Sequence, residues 1–496
     1  MKLKELLKNL AAEEVCGGDG IDAKGIITST ANVTPGCCFV CIKGFNVDGH
    51  TFADEALNKG AVVIVMEDRA IFASFIKKHE AEIAKGALSV VLTASTRHAV
   101  AVLSDTNWRH PSGKLRLTGV TGTKGKTTTS LMIKKIMELA GRKTGLVGTM
   151  YNMIGDEIIP TDRTTPEANV LQPLLAKMVD SGVSDCVMEV SSQGLKLERV
   201  GGCSYGTCVF TNLTPDHIGS TEHPDMEDYA ASKAKLFGMC EKGLFNVDNP
   251  YCGRMMKDAA CVKYTYGIDN EADFRAENIV YGSDYAEYDL CGPCGSTRMH
   301  VSIPGKFSVY NSLAAAACCF LEGIPVSTAA EALKDIVVKG KAEIVPTGRD
   351  FTVMIDYAHN PDSFINIITT AKAFAKRVVF LFGAGGDRNR PRELMGETAA
   401  KYADFTVITS DNPRSEDPAK IVQDIEKGAK KTGRSYICIV DRKEAICYTV
   451  KNARPGDVII LAGKGHETTQ IFKDKTVPFD ERVIVREALK KYYTDK

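Results

Sequence analysis

Apolar residues follow two rhythms along this chain, and their alternation lays out the fold. Short, mostly apolar runs at 61–66, 115–120, 144–147, 185–190 and 207–213 have the character of strands buried on both faces. Between them apolar positions recur every three or four residues, which predicts amphipathic helices. The stretch after Lys126 is one, with Leu131, Ile133, Ile136, Met137 and Leu139 on its apolar side. A helix is also predicted from Ala53 to Lys59, and a short amphipathic one over residues 1–14, where Lys and Glu alternate with Leu. Apolar runs at 352–355, 378–382, 405–408, 437–440 and 458–461 repeat the alternation towards the C-terminus. Strand followed by helix, many times over, gives mostly parallel sheets with helices on both faces. The fold class is therefore α/β.

Length divides this material. A chain of 496 residues exceeds what one core organises. Three domains are expected. Residues 1–110 form a small α/β unit. Residues 111–340 form a central unit with a mostly parallel sheet of the phosphate-loop ATPase kind. Residues 341–496 form a second, Rossmann-like doubly wound sheet. Trp108-Arg-His-Pro-Ser-Gly113 suits a linker between the first two.

Composition mostly excludes. Hydrophobic residues at 44% and charged residues at 25% suit a soluble globular protein. Lys plus Arg equals Asp plus Glu at 62 each, so no nucleic acid or other polyanion is implied as partner. No apolar run is long enough to span a bilayer, and the start of the chain does not have the pattern of a signal peptide. Sixteen cysteines lie scattered, which suits reduced core residues in a cytoplasm. Cys291 and Cys294 are spaced as a half-site for zinc but lack a second pair.

The strongest chemistry lies in Leu117-Thr-Gly-Val-Thr-Gly-Thr-Lys-Gly-Lys-Thr-Thr-Thr-Ser130. An apolar strand enters it and an amphipathic helix leaves it, the context a phosphate-binding loop requires. Gly122 and Gly125 allow a tight turn that points N–H groups at phosphate oxygens. Lys126 can reach the terminal phosphates, and the Thr127 hydroxyl can ligate Mg²⁺. Val120 stands where the commonest form of the motif has its first glycine. ATP or GTP with magnesium is the expected ligand.

Parallel sheets bind ligands at the carboxyl ends of their strands. There the central unit carries Glu189-Val-Ser-Ser-Gln193, Asn212-Leu-Thr-Pro-Asp-His217 and Asn246-Val-Asp248. Glu189 and His217 suit a magnesium site beside the phosphates. Asn311 suits either contact with a base edge or a satisfied buried amide. His50, after Asp48-Gly49, suits a phosphate contact or a simple turn. Lys233, in a helical stretch, has the character of a solvated lysine. The last unit presents four charged, glycine-containing loops: Asp356-Tyr-Ala-His-Asn-Pro-Asp362, Gly385-Gly-Asp-Arg388, Asp411-Asn-Pro-Arg414 and Gly463-Lys-Gly-His-Glu467. Together they suit a charged, polyfunctional ligand.

Seven segments in order give the chain a resemblance to the Mur ligase family over essentially its whole length. They are Thr121-Gly-Thr-Lys-Gly-Lys-Thr-Thr-Thr129, Thr164-Thr-Pro-Glu167, Met188-Glu-Val-Ser-Ser192, Thr211-Asn-Leu-Thr-Pro-Asp-His217, Asp356-Tyr-Ala-His359, Asp411-Asn-Pro-Arg414 and Gly463-Lys-Gly-His-Glu467. The resemblance is greatest to members that add the third residue of the peptidoglycan peptide. It implies a domain each for UDP, ATP and the incoming amino acid. It also implies a reaction in which ATP converts the D-glutamyl carboxylate of UDP-MurNAc-L-Ala-D-Glu to an acyl phosphate, which meso-diaminopimelate then attacks.

By match, Lys126, Glu189, His217 and Lys233 would be catalytic. Thr127, Glu189 and His217 would serve two Mg²⁺ ions, joined by Lys233 if CO₂ carbamylates it. Gly122, Thr123, Lys124, Gly125, Lys126, Thr127, Thr128, Asn311, Lys341, Asp356 and His359 would surround ATP. Thr30, His50, Thr164, Thr165, Ser191 and Arg199 would hold the UDP-muramoyl-dipeptide. Arg388, Asp411, Asn412, Arg414, Gly463 and Glu467 would hold the amino acid. Arg414 suits the second carboxylate of diaminopimelate, and Glu467 its distal ammonium. An enzyme of this kind would be a cytoplasmic monomer acting on small molecules, without nucleic acid or membrane.

The chain departs from the family pattern at several points. Ser29-Thr30-Ala31 replaces Asp-Ser-Arg, removing an acid and a cation near the UDP. Gln193 replaces a His, Ser308 an Asn, and Lys341 an Arg. The loop after Gly386 is about one residue short. A lysine-adding ligase, a ligase for another acceptor, and a nucleotide-binding regulator without ligase activity remain alternatives.

Overall fold

The computed structural model describes residues 1–216, 218–219, 222–388 and 390–493. His217 therefore lies outside the described residues. Two compact units emerge. One comprises Met1–Arg275 with Leu313–Ala329, the other Ala276–Ser312 with Ala330–Lys496.

The first unit holds two sheets. The smaller has the order Ala12–Cys16, Ser89–Thr93, Val63–Met66, Cys38–Val40, Ile26–Ile27, parallel except for the first strand. Its Val63 and Val65 enter one apolar cluster, while Ile64 and Met66 enter another. That is the two-residue period of a strand buried on both faces. The helix predicted over 1–14 is shorter than expected. Leu3–Leu6 is helical and Leu7–Asn9 is a 3-10 turn, but Ala12–Cys16 pairs as an edge strand with Ser89–Thr93. Sheet pairing overrides a local charge pattern there.

The larger sheet runs Val262–Gly267, Cys240–Asn246, Tyr205–Phe210, Arg116–Thr121, Asp185–Glu189, Thr144–Val147, all parallel, then the antiparallel strands Asn152–Ile154 and Glu157–Ile159. Arg116–Thr121 sits centrally, so the loop that follows it opens at the middle of the strand ends. The helix Lys126–Leu139 then buries Met132, Ile133, Ile136 and Met137. Leu131 is only half-buried and Leu139 is exposed, so the apolar stripe is rotated by about one position from the expected one. Residues 108–113 lie within this first unit. Arg109 and His110 both have left-handed backbones, and His110 Nδ1 lies 2.6 Å from Asp105 Oδ2.

The second unit is built on the order Glu343–Val345, Thr352–Asp356, Asp457–Ala462, Arg377–Phe382, Phe405–Ile408, Tyr436–Cys438, parallel after the first strand. Phe380 and Phe382 face the cluster that takes in Phe364, Met395 and Ile425 from helices on one side. Val379 and Leu381 face Ile446, Val450 and Val485 on the other. The sheet is thus doubly wound, as its apolar runs predict. The hairpin Ala286–Gly292 and Gly295–Val301 belongs to the same unit. All sixteen cysteines are free thiols, and ten are buried. No group of three or more His, Cys, Asp or Glu among the described residues is arranged to hold a metal. No helix among them is long and apolar enough to cross a membrane.

Candidate active site

In the first unit the phosphate loop closes on the strand end Tyr205–Phe210. Gly122 has φ 150°, and a Cβ there would stand 1.9 Å from Thr211 Oγ1, so only glycine fits. Asn212 stitches the loop from outside: its Oδ1 accepts from Lys124 N at 2.9 Å and its Nδ2 donates to Lys124 O at 3.0 Å. Gly125, at φ 85°, starts the helix Lys126–Leu139. The first N–H groups of that helix open towards the loop, the geometry that takes phosphate.

Two ammonium groups enter this loop. Lys126 Nζ donates to Gly122 O at 2.8 Å and to Thr123 O at 3.1 Å. Lys233 Nζ donates to the same Gly122 oxygen at 3.0 Å and lies 4.6 Å above the Tyr229 ring. Lys233 is 1% exposed, which corrects its expected solvated state. Burial first, and Lys126 second, push its amine well below the ordinary lysine range.

Glu189 ends the strand Asp185–Glu189 and is also buried. Its Oε2 accepts from Thr127 Oγ1 at 3.0 Å and Thr149 Oγ1 at 2.8 Å, and its Oε1 from Thr149 N at 3.0 Å. A carboxylate next to a phosphate-loop hydroxyl is a hard oxygen donor set, which fits magnesium. Thr164 joins through Thr149 Oγ1 at 3.0 Å. Thr165 Oγ1 donates to Glu189 O at 3.0 Å and accepts from Ser191 N at 3.0 Å, and Arg199 Nη1 donates to Thr165 O at 3.2 Å. The fold therefore gathers Thr164, Thr165, Ser191 and Arg199 beside Glu189.

At the small sheet, His50 is 4% exposed and both ring nitrogens are engaged. Nδ1 lies 2.6 Å from Asp48 Oδ1, and Nε2 accepts from Glu67 N at 3.1 Å. The side chain thus serves the turn. Thr30 lies elsewhere on this sheet's rim. Lys59 Nζ donates to its carbonyl at 3.0 Å and to Glu55 Oε1 at 2.7 Å. Glu55 also bonds the Thr30 side chain, and Lys59 with Thr30 holds its carboxyl below the usual range. An acid and a cation, Glu55 and Lys59, thus stand beside Thr30, on the helix Ala53–Asn58 and the residue that follows it.

The second unit gathers two further groups. Asp356 accepts from Ala342 N and Ala358 N, each at 2.7 Å. Tyr357 is ringed by Lys341, whose Nζ lies 4.9 Å over it, and by the rings of His359 and His466. Asn311 is half-buried on the helix Lys306–Leu321. The other group is formed by the loops 410–414 and 463–467. Asn412 Nδ2 donates to Glu467 Oε2 at 2.8 Å, and the fully buried Lys464 donates to Asn412 Oδ1 at 2.9 Å and Glu467 Oε2 at 3.2 Å. Gly463, at φ 112°, lets Asp411 approach: a Cβ would lie 2.5 Å from its Oδ2. Arg414 has φ 52° and its Nη1 donates to Gly386 O at 2.8 Å. Arg388 lines a pocket of about 380 Å³ with Arg390 and Arg392.

Comparison with known proteins decides between the alternatives at family level. Residues 22–108, 120–319 and 340–465 match, in turn, the Mur ligase family catalytic domain, the Mur ligase middle domain and the Mur ligase glutamate ligase domain. The chain is 45% identical over 492 residues, 99% of each chain, to UDP-N-acetylmuramoyl-L-alanyl-D-glutamate--2,6-diaminopimelate ligase of Caldanaerobacter subterraneus subsp. tengcongensis. The chain belongs to the Mur ligase family. It is 42% identical, over 99% of each chain, to the protein of that name from Geobacillus thermodenitrificans. A solved structure of a 2,6-diaminopimelate ligase with the same full name matches this Mur ligase over 100% of both chains, with TM-score 0.73 and 27% identity. Thermotoga maritima MurF in complex with ADP shares the fold alone, at 16% identity and TM-score 0.57 over 95% of this chain and 98% of that one.

Three residues of this Mur ligase had no signal in the spacing. Lys464 lies inside a recognised loop, but its buried contacts arise from the fold. Arg442 is buried at the start of the helix Arg442–Lys451. His223 stands between Ser192 Oγ at 2.9 Å and Asp228 Oδ2 at 2.6 Å. A carboxylate only accepts, so Nδ1 carries the proton and Nε2 accepts from the serine. The order is that of a nucleophilic triad, but Ser192 is 5% and His223 0% exposed, so it ties the helix Ser192–Lys196 to the helix Met226–Ala234 that carries Lys233.

Proposed function

We propose that this Mur ligase joins meso-diaminopimelate to the D-glutamyl carboxylate of UDP-MurNAc-L-Ala-D-Glu at the expense of ATP, in peptidoglycan precursor synthesis. The observation that carries the amine choice is the loop 410–414, where Asn412 and the buried Lys464 both bond the partly exposed Glu467 and where Arg414 follows two residues on, its Nη1 bonded to Gly386 O. Diaminopimelate ends in an ammonium and a carboxylate. Glu467 is the partner for the first and Arg414 for the second. Lysine offers the ammonium alone.

The chemistry needs two anions to meet. Lys126 and the N–H groups of the phosphate loop hold the triphosphate and draw off charge as the γ-phosphoryl passes to the carboxylate, giving the acyl phosphate and ADP. The amine then attacks the carbonyl, the C–O bond to phosphate breaks, and amide and phosphate leave with the amine proton released. Thr127, Glu189 and His217 would hold Mg²⁺, which supplies charge neutralisation between the phosphates when bound. Lys233, whose amine burial and Lys126 push well below the ordinary lysine range, is suited to take up CO₂ as a carbamate, which would add a carboxylate-like oxygen donor to those of Thr127 and Glu189 and serve a second Mg²⁺.

Gly122–Thr128 are assigned to the phosphates, and Asn311, Lys341, Asp356 and His359 are assigned to ATP by the family resemblance. Thr30, Thr164, Thr165, Ser191 and Arg199 hold the UDP-muramoyl-dipeptide, with His50 supporting that rim through its turn. Arg388, Asp411, Asn412, Arg414, Gly463 and Glu467 receive the amino acid. The domains take the bounds 1–110, 111–340 and 341–496, and the protein works as a cytoplasmic monomer without nucleic acid or membrane.

The test is phosphate release from ATP with UDP-MurNAc-L-Ala-D-Glu and either meso-diaminopimelate, L-lysine or no amine. Release with diaminopimelate alone is expected. Release with lysine would keep the ligase and discard the assigned amine. No release with any amine would leave a nucleotide-binding protein without ligation.

A further inference from the structure

We propose that the buried Arg442–Glu481 pair is a positioning element of the amine site, setting the distance between the loops 410–414 and 463–467 and through it the choice of amine; this rests on the ligase reading above. Arg442 is 1% and Glu481 0% exposed. Arg442 Nη1 donates to Ser410 O at 3.3 Å, Nη2 to Ala462 O at 2.7 Å, and Nε to Glu481 Oε1 at 2.8 Å. Those two carbonyls belong to the residues immediately before Asp411 and Gly463. One rigid, planar group therefore fixes the starting points of both loops, which a lysine ammonium could not do with one geometry.

Beyond these anchors the loops meet with little slack. Asn412 touches Glu467 and Lys464, and the room between Gly463 and Asp411 admits no Cβ. A shift at the anchors passes directly to the groups assigned to the amine. Stability alone does not account for the pair. Glu481 Oε2 has no hydrogen-bond partner among the described residues, and burial raises its carboxyl above the ordinary range. A buried ion pair with an unmet acceptor is commonly no more stabilising than apolar residues of the same volume.

Arg442→Met, Glu481→Met and the double variant separate the two roles. Melting temperature, KM for diaminopimelate, KM for ATP, and the diaminopimelate-to-lysine rate ratio are measured on each. The single variants strand a buried charge and are expected to melt lower. The double variant is expected to recover melting temperature while keeping KM for diaminopimelate raised about tenfold, with KM for ATP within about twofold. The rate ratio should fall with it. Recovery of both stability and amine KM in the double variant would overturn the proposal, leaving a purely structural pair. So would an unchanged amine KM throughout. If the unsubstituted protein releases no phosphate with diaminopimelate, the ligase reading itself fails and this inference falls with it.

Discussion

Lys126 and Lys233 aim their ammonium nitrogens at one oxygen, the carbonyl of Gly122, at 2.8 and 3.0 Å. Two cations on one acceptor disfavour each other, and the buried one yields. Lys233 is held well below the ordinary lysine range by burial and then by Lys126. A neutral amine is the form that attacks CO₂. Ligase activity should therefore drop in CO₂-depleted buffer and return with bicarbonate. Lys233→Ala should lower kcat on the order of 100-fold without bicarbonate rescue. Activity indifferent to bicarbonate would remove the carbamate from the mechanism.

Arg414 combines a left-handed backbone with an Nη1 bond to Gly386 O. Both direct its guanidinium, and hydrogen bonds to charged groups contribute about 1.5 to 3 kcal/mol. Arg414→Ala should raise KM for diaminopimelate roughly 10- to 100-fold at near-constant KM for ATP. Steady-state kinetics with each substrate varied in turn would reveal it. Equal effects on both constants would count against the assigned role.

Thr30 lies within reach of Glu55 and Lys59, both about half-exposed at 46%. Exposed charges contribute little each, so Lys59→Ala should raise KM for the UDP-linked substrate by only about two- to fivefold. KM for ATP should not move. An unaffected UDP-substrate KM would mean that nothing replaces the residues absent at 29–31.

His223 is faced by Ser192, Asp228, Lys196 and Lys233, and burial first lowers its pKa, against the raising effect of Asp228. The unfolded chain takes up a proton near pH 6.5, and the folded one only at lower pH. Stability from this residue is therefore complete above about pH 6.5 and lost as pH falls towards the folded value. Denaturant midpoints between pH 8 and pH 5 should fall more steeply for the unsubstituted protein than for His223→Gln. Parallel curves would rule out this contribution.

The phosphate loop was legible because its chemistry is local: strand, glycine turn, lysine and helix follow one another within fourteen residues, and backbone geometry does the rest. The apolar runs at 352–355, 378–382 and 458–461 were legible for a similar reason, since a strand buried on both faces leaves an uninterrupted apolar signature. Residues 12–14, expected in a helix, were misjudged because the strand they pair with, Ser89–Thr93, is remote in sequence.

The sequence by itself determined the α/β alternation, the phosphate loop and the family to which the chain belongs. Tertiary structure alone decided the chemical state of particular groups. A lysine on a helix is solvated by default, and only the packing of Tyr229 and the Gly122 carbonyl around Lys233 strips its water. Glu55 and Lys59 bring an acid and a cation to Thr30 from another segment. Arg442 reaches two carbonyls 52 residues apart in the chain. Burial, charge and hydrogen bonding act through space, so the residues that set them need not be near one another in sequence.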